Sequence, residues 1–153
     1  MNFHRSMMEL ALEEARLAAV KDEVPVGAVI ARGGEVVAKS HNLCRTTGDP
    51  TAHAEILAIR QAASKLGGRL FDCTLYVTLE PCPMCAGAMM MARLGSCFFA
   101  AADKRQGCCE SLYALPADPA FYHRLPCVGG LMEEEAAEIL TTFFKDKRHG
   151  DAF

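Results

Sequence analysis

Two cysteines, three residues apart, constrain this chain more than any other feature. They stand in Glu80-Pro81-Cys82-Pro83-Met84-Cys85, directly ahead of the helix-forming run Ala86-Gly87-Ala88-Met89-Met90-Met91-Ala92-Arg93. Side chains three apart share one face of a helix, so both sulfurs point the same way if the first turn begins here. Pro81 and Pro83 suit that boundary, because a first-turn N–H has no intrahelical partner to lose. The positive end of the helix dipole favours thiolate over thiol, which makes both sulfurs better metal ligands. The stretch reads as half of a zinc site. A CxxC on its own also serves structural and redox roles, so its meaning depends on what accompanies it.

The second half is His53-Ala54-Glu55. Asp49-Pro50-Thr51 just before it combines a capping residue with a first-turn proline, which predicts a helix start. Residues two apart on a helix point about 200° apart, so His53 and Glu55 cannot share one lateral face. Both can reach a metal placed off the helix's N-terminal end. The Cys82 helix offers its ligands from the same position, and a strand at 75–79 can bring both helix starts to one side of a sheet. His53, Cys82 and Cys85 then make three zinc ligands, with a fourth position open to water, as expected of catalytic zinc. Glu55 beside that water can take its proton and pass it to a leaving amine.

The rest of the chain predicts an α/β layered domain with a mixed sheet. Met7, Leu10, Ala11, Ala15, Ala18 and Ala19 give a helical period over Ser6 to Val20. Strands are expected over 26–31 and 36–40 around a Gly33-Gly34 turn, then over 75–79, 97–101 and 128–132. Residues 44–50 read as a loop. A helix from the Asp49-Pro50-Thr51 cap should run to Gly67-Gly68. Residues 112–126 have no clean period. A closing helix over 133–148 should bury Ala137, Leu140, Phe143 and Phe144. The 153 residues fit a single domain, 1–153, with no repeat or linker.

Composition narrows the setting. No apolar run approaches the roughly 20 residues that cross a bilayer, and Met1 to Arg16 lacks the apolar core of a signal peptide. Eight cysteines without an export signal argue for a reducing cytoplasm rather than a disulfide framework. Cys73 and Cys97 interrupt strand-like runs and read as small buried hydrophobes. Cys108-Cys109 sits in a glycine-containing loop, where exposure and burial both remain open. A net charge of −3 argues against an extended nucleic-acid surface, though a local basic patch is compatible with it. His4, His41, His123 and His149 lack ligand spacing.

His-x-Glu with Pro-Cys-x-x-Cys is the signature of the zinc deaminases. Over nearly its whole length the chain resembles the bacterial tRNA-specific adenosine deaminases, a branch of the cytidine deaminase-like superfamily. The resemblance rests on Glu23-Val24-Pro25-Val26-Gly27-Ala28-Val29, Asn42, Asp49 to Ile56, Leu75 to Cys82, and Cys85-Ala86-Gly87-Ala88-Met89. It implies a three-layer α/β/α fold with a central five-stranded mixed sheet. It also implies hydrolytic deamination of adenosine to inosine at the wobble position of a tRNA anticodon stem-loop. One zinc ion per subunit would be held by His53, Cys82 and Cys85, with Glu55 as the proton carrier. Asn42 and the Ala54 N–H would meet the target base, Val24 and Leu79 would line its pocket, and Asp103 would lie near neighbouring nucleotides. Phe144, Lys147 and Arg148 would meet the anticodon loop, and the protein would be a homodimer.

Some positions depart from that family. Its basic tail is often longer, alanines are usual where Cys108 and Cys109 stand, asparagine is common at the place of Tyr122, and arginine can occupy the place of Ala102. By the resemblance, each is a position where an RNA contact could be removed or altered, so weaker tRNA binding is expected. The same zinc motifs would serve a deaminase of a free nucleobase or nucleoside, of guanine or cytosine type. A zinc-stabilised binding module without catalysis is a third reading, against which Glu55 speaks.

Overall fold

Apolar side chains that alternate between two faces dictate the layering. The computed structural model describes residues 2–150, and the side chains of residues 3–147. β1 (Gly27–Arg32) turns back through Gly33-Gly34 into β2 (Glu35–His41). Both turn glycines have positive φ, 55° and 89°, as a tight hairpin between right-twisted strands requires. β3 (Cys73–Leu79) pairs antiparallel with β1; β4 (Ser96–Ala101) and β5 (Cys127–Gly129) follow in parallel. The order is β2-β1-β3-β4-β5, a five-stranded mixed sheet.

Period-two alternation sorts the strand residues. Ala28, Ile30, Leu75, Val77, Cys97 and Phe99 enter one core, beneath α3 (Ala54–Leu66) and α4 (Pro83–Met91). Val29, Ala31, Tyr76 and Ala100 enter the other, beneath α1 (Asn2–Val20) and α5 (Glu133–Gly150). The result is the three-layer α/β/α fold. A sheet covered on both faces explains why its strands read as unbroken apolar runs. α1 lies so close to β1 that a Cβ on Gly27 would collide with the Ala11 carbonyl and stand 2.6 Å from Ala15 N. Only glycine permits that approach.

Several boundaries differ from expectation, each for a local reason. α1 begins at Asn2, because Phe3 and His4 have partners of their own: His4 Nδ1 lies 2.6 Å from the Tyr76 hydroxyl and its ring stacks on Phe98. Asp49 does not start α3. Its Oδ1 accepts the N–H and hydroxyl of Thr51 in a local turn, and the helix waits until Ala54. Residues expected as loop form one helical turn, α2 (Cys44–Thr47), with first-turn N–H groups bound by Glu23. β5 covers 127–129 instead of 128–132, since Gly130 and Met132 both turn to positive φ. On α5 the buried edge runs through Ala136 and Ile139, about one residue round from the expected face, leaving Ala137 and Phe144 exposed.

The parallel register fixes where the functional segments emerge. Leu79 on β3 pairs with Ala101 on β4, so both strands end at the same sheet edge. β3 leads through Glu80 and Pro81 into α4, and β4 leads into a turn-rich segment from Asp103 to Ser111. Open α/β sheets bind ligands at such carboxyl edges.

Candidate metal centre

Two of the three predicted ligands are helix N-cap residues. His53 and Cys82 both have extended backbone conformation, and their carbonyls accept the first helical bonds, from Leu57 and Ala86. Pro83 occupies the first turn of α4 and Cys85 lies one turn in. Both helices therefore aim their positive ends at one point, which stabilises anionic ligands there.

His53 Nδ1 lies 3.7 Å from Cys82 Sγ and 3.4 Å from Cys85 Sγ. The three ligand atoms fall within 4.8 Å of one another. Tetrahedral zinc with ordinary Zn–N and Zn–S bonds would separate N from S by about 3.6 Å, so the spacing fits a metal held by these three atoms. Among the described residues no other His, Cys, Asp or Glu group is gathered tightly enough to hold an ion. Hydrogen bonds among the three ligands set their protonation, and Cys82 alone is drawn towards the anionic form that binds a metal. A hydrogen bond from Cys85 brings the Cys82 thiol down to about 4, and bonding to Cys82 raises His53. Cys85, as the donor to a buried thiolate, is pushed up.

Glu55 occupies the first turn of α3, buried at 4% exposure beside the ligands. Burial raises its carboxyl to about 7, with its own N–H and His53 pulling the other way. A carboxyl poised there can both take and return a proton near neutral pH. His53, Glu55, Cys82 and Cys85 are thus brought together as the sequence predicts.

Asn42 and Ala54 form one unit. Asn42, just past the end of β2, accepts the Ala54 N–H on its Oδ1 at 2.8 Å, filling a donor that a helix start leaves open. That N–H, expected at the base edge, is instead committed to Asn42, which leaves the carboxamide NH2 to meet a ligand. His41, next to Asn42, is held by Glu14 of α1 through Nδ1 at 2.8 Å.

Leu79 ends β3 half-buried between the two cores, and Val24 is 38% exposed. Asp103 turns its Oδ1 to the N–H groups of Arg105 and Gln106. Lys147, expected at the anticodon loop, is bound to Asp22, with Nζ 2.6 Å from Oδ1. The Arg148 side chain lies outside the described residues. Cys108 and Cys109 are buried at 1% and 8%, so the open question of their exposure is answered. Cys127 is half-buried, and its thiol donates to the Leu125 carbonyl at 3.8 Å.

Two buried carboxylates were not anticipated. Glu23 is buried and accepts the Arg45 N–H and both donors of Thr46; Glu80 is buried and takes donors from the 103–111 segment. Burial raises both carboxyls, but the bonds to Thr46 and Arg45, and to Ser111, Asp103 and Glu110, outweigh it and leave each lowered. The available signal was an acid set directly against an apolar run, in Glu23-Val24-Pro25-Val26 and Leu75 to Glu80.

Comparison with known proteins identifies the chain's relatives. Residues 1–148 match the model of the MafB19-like deaminase family. The chain is 48% identical over 145 residues to the tRNA-specific adenosine deaminase of Agrobacterium fabrum, covering 94% of this chain and 95% of that one. A solved structure from a study of A-to-I editing by tRNA:A34 deaminases at the wobble position of transfer RNA aligns with TM-score 0.85 and 48% identity, over 88% of this chain and 99% of that one. A guanine deaminase from Nitrosomonas europaea aligns with TM-score 0.78 and 25% identity, over 91% and 83%. With coverage this full on both sides, the chain belongs to the MafB19-like deaminase family and stands among the tRNA-specific adenosine deaminases.

Proposed function

We propose that this chain is a zinc-dependent tRNA adenosine deaminase of one domain, 1–153, which converts adenosine to inosine at the wobble position of a tRNA anticodon. The observation that carries the reading is the buried Glu55 beside three ligand atoms at zinc spacing. His53, Cys82 and Cys85 would hold one zinc per subunit. When bound, zinc supplies Lewis acidity and eases deprotonation of water.

The protein's own groups do the rest. Glu55 takes the proton of the attacking water and delivers it to the amine that leaves C6 of the flipped-out base. Asn42, aligned by the Ala54 N–H, donates its NH2 to the base edge. Val24 and Leu79 wall the pocket with apolar contact, and Asp103 orders the turn beside it. Phe144, Lys147 and Arg148 present the last turns of α5 to the stem-loop, where Lys147 would exchange Asp22 for a phosphate. Phe71, Met91 and Tyr122 are exposed, Met91 by 80% and Tyr122 fully, which supports a second copy covering apolar surface in a homodimer. Eight free cysteines support the reducing cytoplasm as its compartment. Among the described residues no helix is long and apolar enough to cross a membrane.

The test is incubation with an anticodon stem-loop bearing wobble adenosine, alongside free guanine, adenosine and cytosine. Inosine should form in the stem-loop. Ammonia from a free base without inosine in the stem-loop would replace this reading with a free-base deaminase. Elemental analysis should return one zinc per chain, and sedimentation should return a dimer.

A further inference from the structure

Five hydrogen bonds from one surface segment converge on a carboxylate that the reaction does not use. Glu80 is 2% exposed. Its Oε1 accepts the Asp103 N–H at 3.0 Å and the Ser111 hydroxyl. Its Oε2 accepts the N–H groups of Cys109, Glu110 and Ser111 at 3.1, 2.8 and 2.8 Å. A Cβ on Gly107 would run into this carboxylate, so the segment's backbone lies directly on it. The Cys108 N–H adds a bond to Pro81 O at 2.9 Å. An ionised carboxylate has about four lone-pair sites and no donor, whereas a carboxamide has one acceptor oxygen and an NH2 that would face these N–H groups.

The segment so held carries cations. Asp103 Oδ1 closes a turn over Arg105 and Gln106, and Lys104 and Arg105 in that turn are exposed. Glu80 is two residues from Cys82, so the turn's position is tied to the start of the metal helix. Phosphate contacts supply most nucleic-acid affinity.

We infer that Glu80 is a positioning residue for the nucleic-acid substrate, fastening the 103–111 segment so that Lys104 and Arg105 face the phosphates of a base held at the metal centre. This rests on the tRNA reading above. It differs from a general structural role in predicting an effect on substrate affinity that runs through those two cations.

The test compares Glu80→Gln with the parent on the anticodon stem-loop, with metal content and amide hydrogen exchange measured on the same samples. The variant should keep its metal and a kcat within about twofold, raise KM about tenfold, and speed exchange at 103 and 109–111. In a Lys104→Ala/Arg105→Ala background the same change should move KM less than about twofold, because the cations it positions are gone. Ser111→Ala, which removes a single donor, should raise KM by about two- to threefold and serves if Glu80→Gln does not fold. Unchanged KM despite faster exchange would overturn the inference, as would full additivity with the double cation variant, or loss of metal and kcat at constant KM. If Glu80→Gln does not fold, unchanged KM in Ser111→Ala overturns it. A parent that leaves the stem-loop untouched sinks the tRNA reading and this inference together; an active parent with any overturning result sinks the inference alone.

Discussion

Asn42 has one observed role and one proposed above, and substitution can separate them. Its Oδ1 caps the first N–H of α3 at 2.8 Å, while its NH2 is assigned to the substrate base. Asn42→Ala removes both. Loss of a side-chain cap at a helix start costs about 1 kcal/mol, within a range of roughly 0.5–2. For a chain of this size that lowers the melting midpoint by about 2–4 °C. Asn42→Asp keeps an acceptor on the Ala54 N–H and sets a negative charge at a helix N-terminus, a gain of about 0.3–1 kcal/mol. Crowding of that charge near Glu55 offsets part of this, so stability should stay within about 0.5 kcal/mol of the parent. The aspartate has no NH2, and loss of a substrate hydrogen bond worth about 1.4 kcal/mol lowers kcat/KM tenfold. Urea denaturation and stem-loop kinetics on both variants read the two effects. Full activity in Asn42→Asp would refute the donor role, and an Asn42→Ala protein as stable as the parent would refute the cap.

Three other perturbations follow from the geometry. Glu55→Gln should retain stoichiometric metal and lose turnover by at least about 100-fold, since proton transfer by a placed side chain contributes about 10²–10⁴; near-parental rates would remove Glu55 from that role. Gly27→Ala puts a methyl between the backbones of β1 and α1, and overpacking of up to about 3 kcal/mol predicts a midpoint lower by about 6–12 °C, which calorimetry would check. Glu23 is lowered from its ordinary 4.5 in the folded state, so its contribution is present above that value and lost as pH falls through the folded pKa. Stability measured from pH 6 down to 3 should therefore fall less steeply in Glu23→Gln than in the parent, and equal slopes would show that Glu23 carries none of it.

The metal chemistry was legible because each half of it is local. His53 with Glu55, and Cys82 with Cys85, lie within one helical turn, and proline punctuation marks the second turn's start. The layering was legible too, because strands covered on both faces leave a continuous apolar signature. What escaped depends on partners far apart in the chain. Glu80 finds its donors 23 to 31 residues later, and Lys147 meets Asp22 across 125 residues, spacings no local period encodes. The displaced start of α3 has the opposite cause. Asp49 is a good helix cap by type, but its carboxylate found Thr51 first.

The end of α1 bears electrostatically on the RNA contact proposed for Lys147. Asp22, at φ 63°, closes the helix with its N–H on Ala19 while the Glu23 N–H reaches Ala18. From there its carboxylate holds Arg45 at 2.7 Å and Lys147 at 2.6 Å, and the Lys147 bond keeps it lowered. The carboxylate thus occupies the place that a phosphate would take if those cations meet RNA, as proposed for Lys147. An RNA strand engaging them would trade one anion for another, and the freed Asp22 would repel it. Affinity at this rim would then be discounted, and against every RNA alike. Removing that charge with Asp22→Asn should tighten stem-loop and unrelated RNA equally and steepen the salt dependence of both, whereas unchanged binding of either would show that the two cations do not meet RNA.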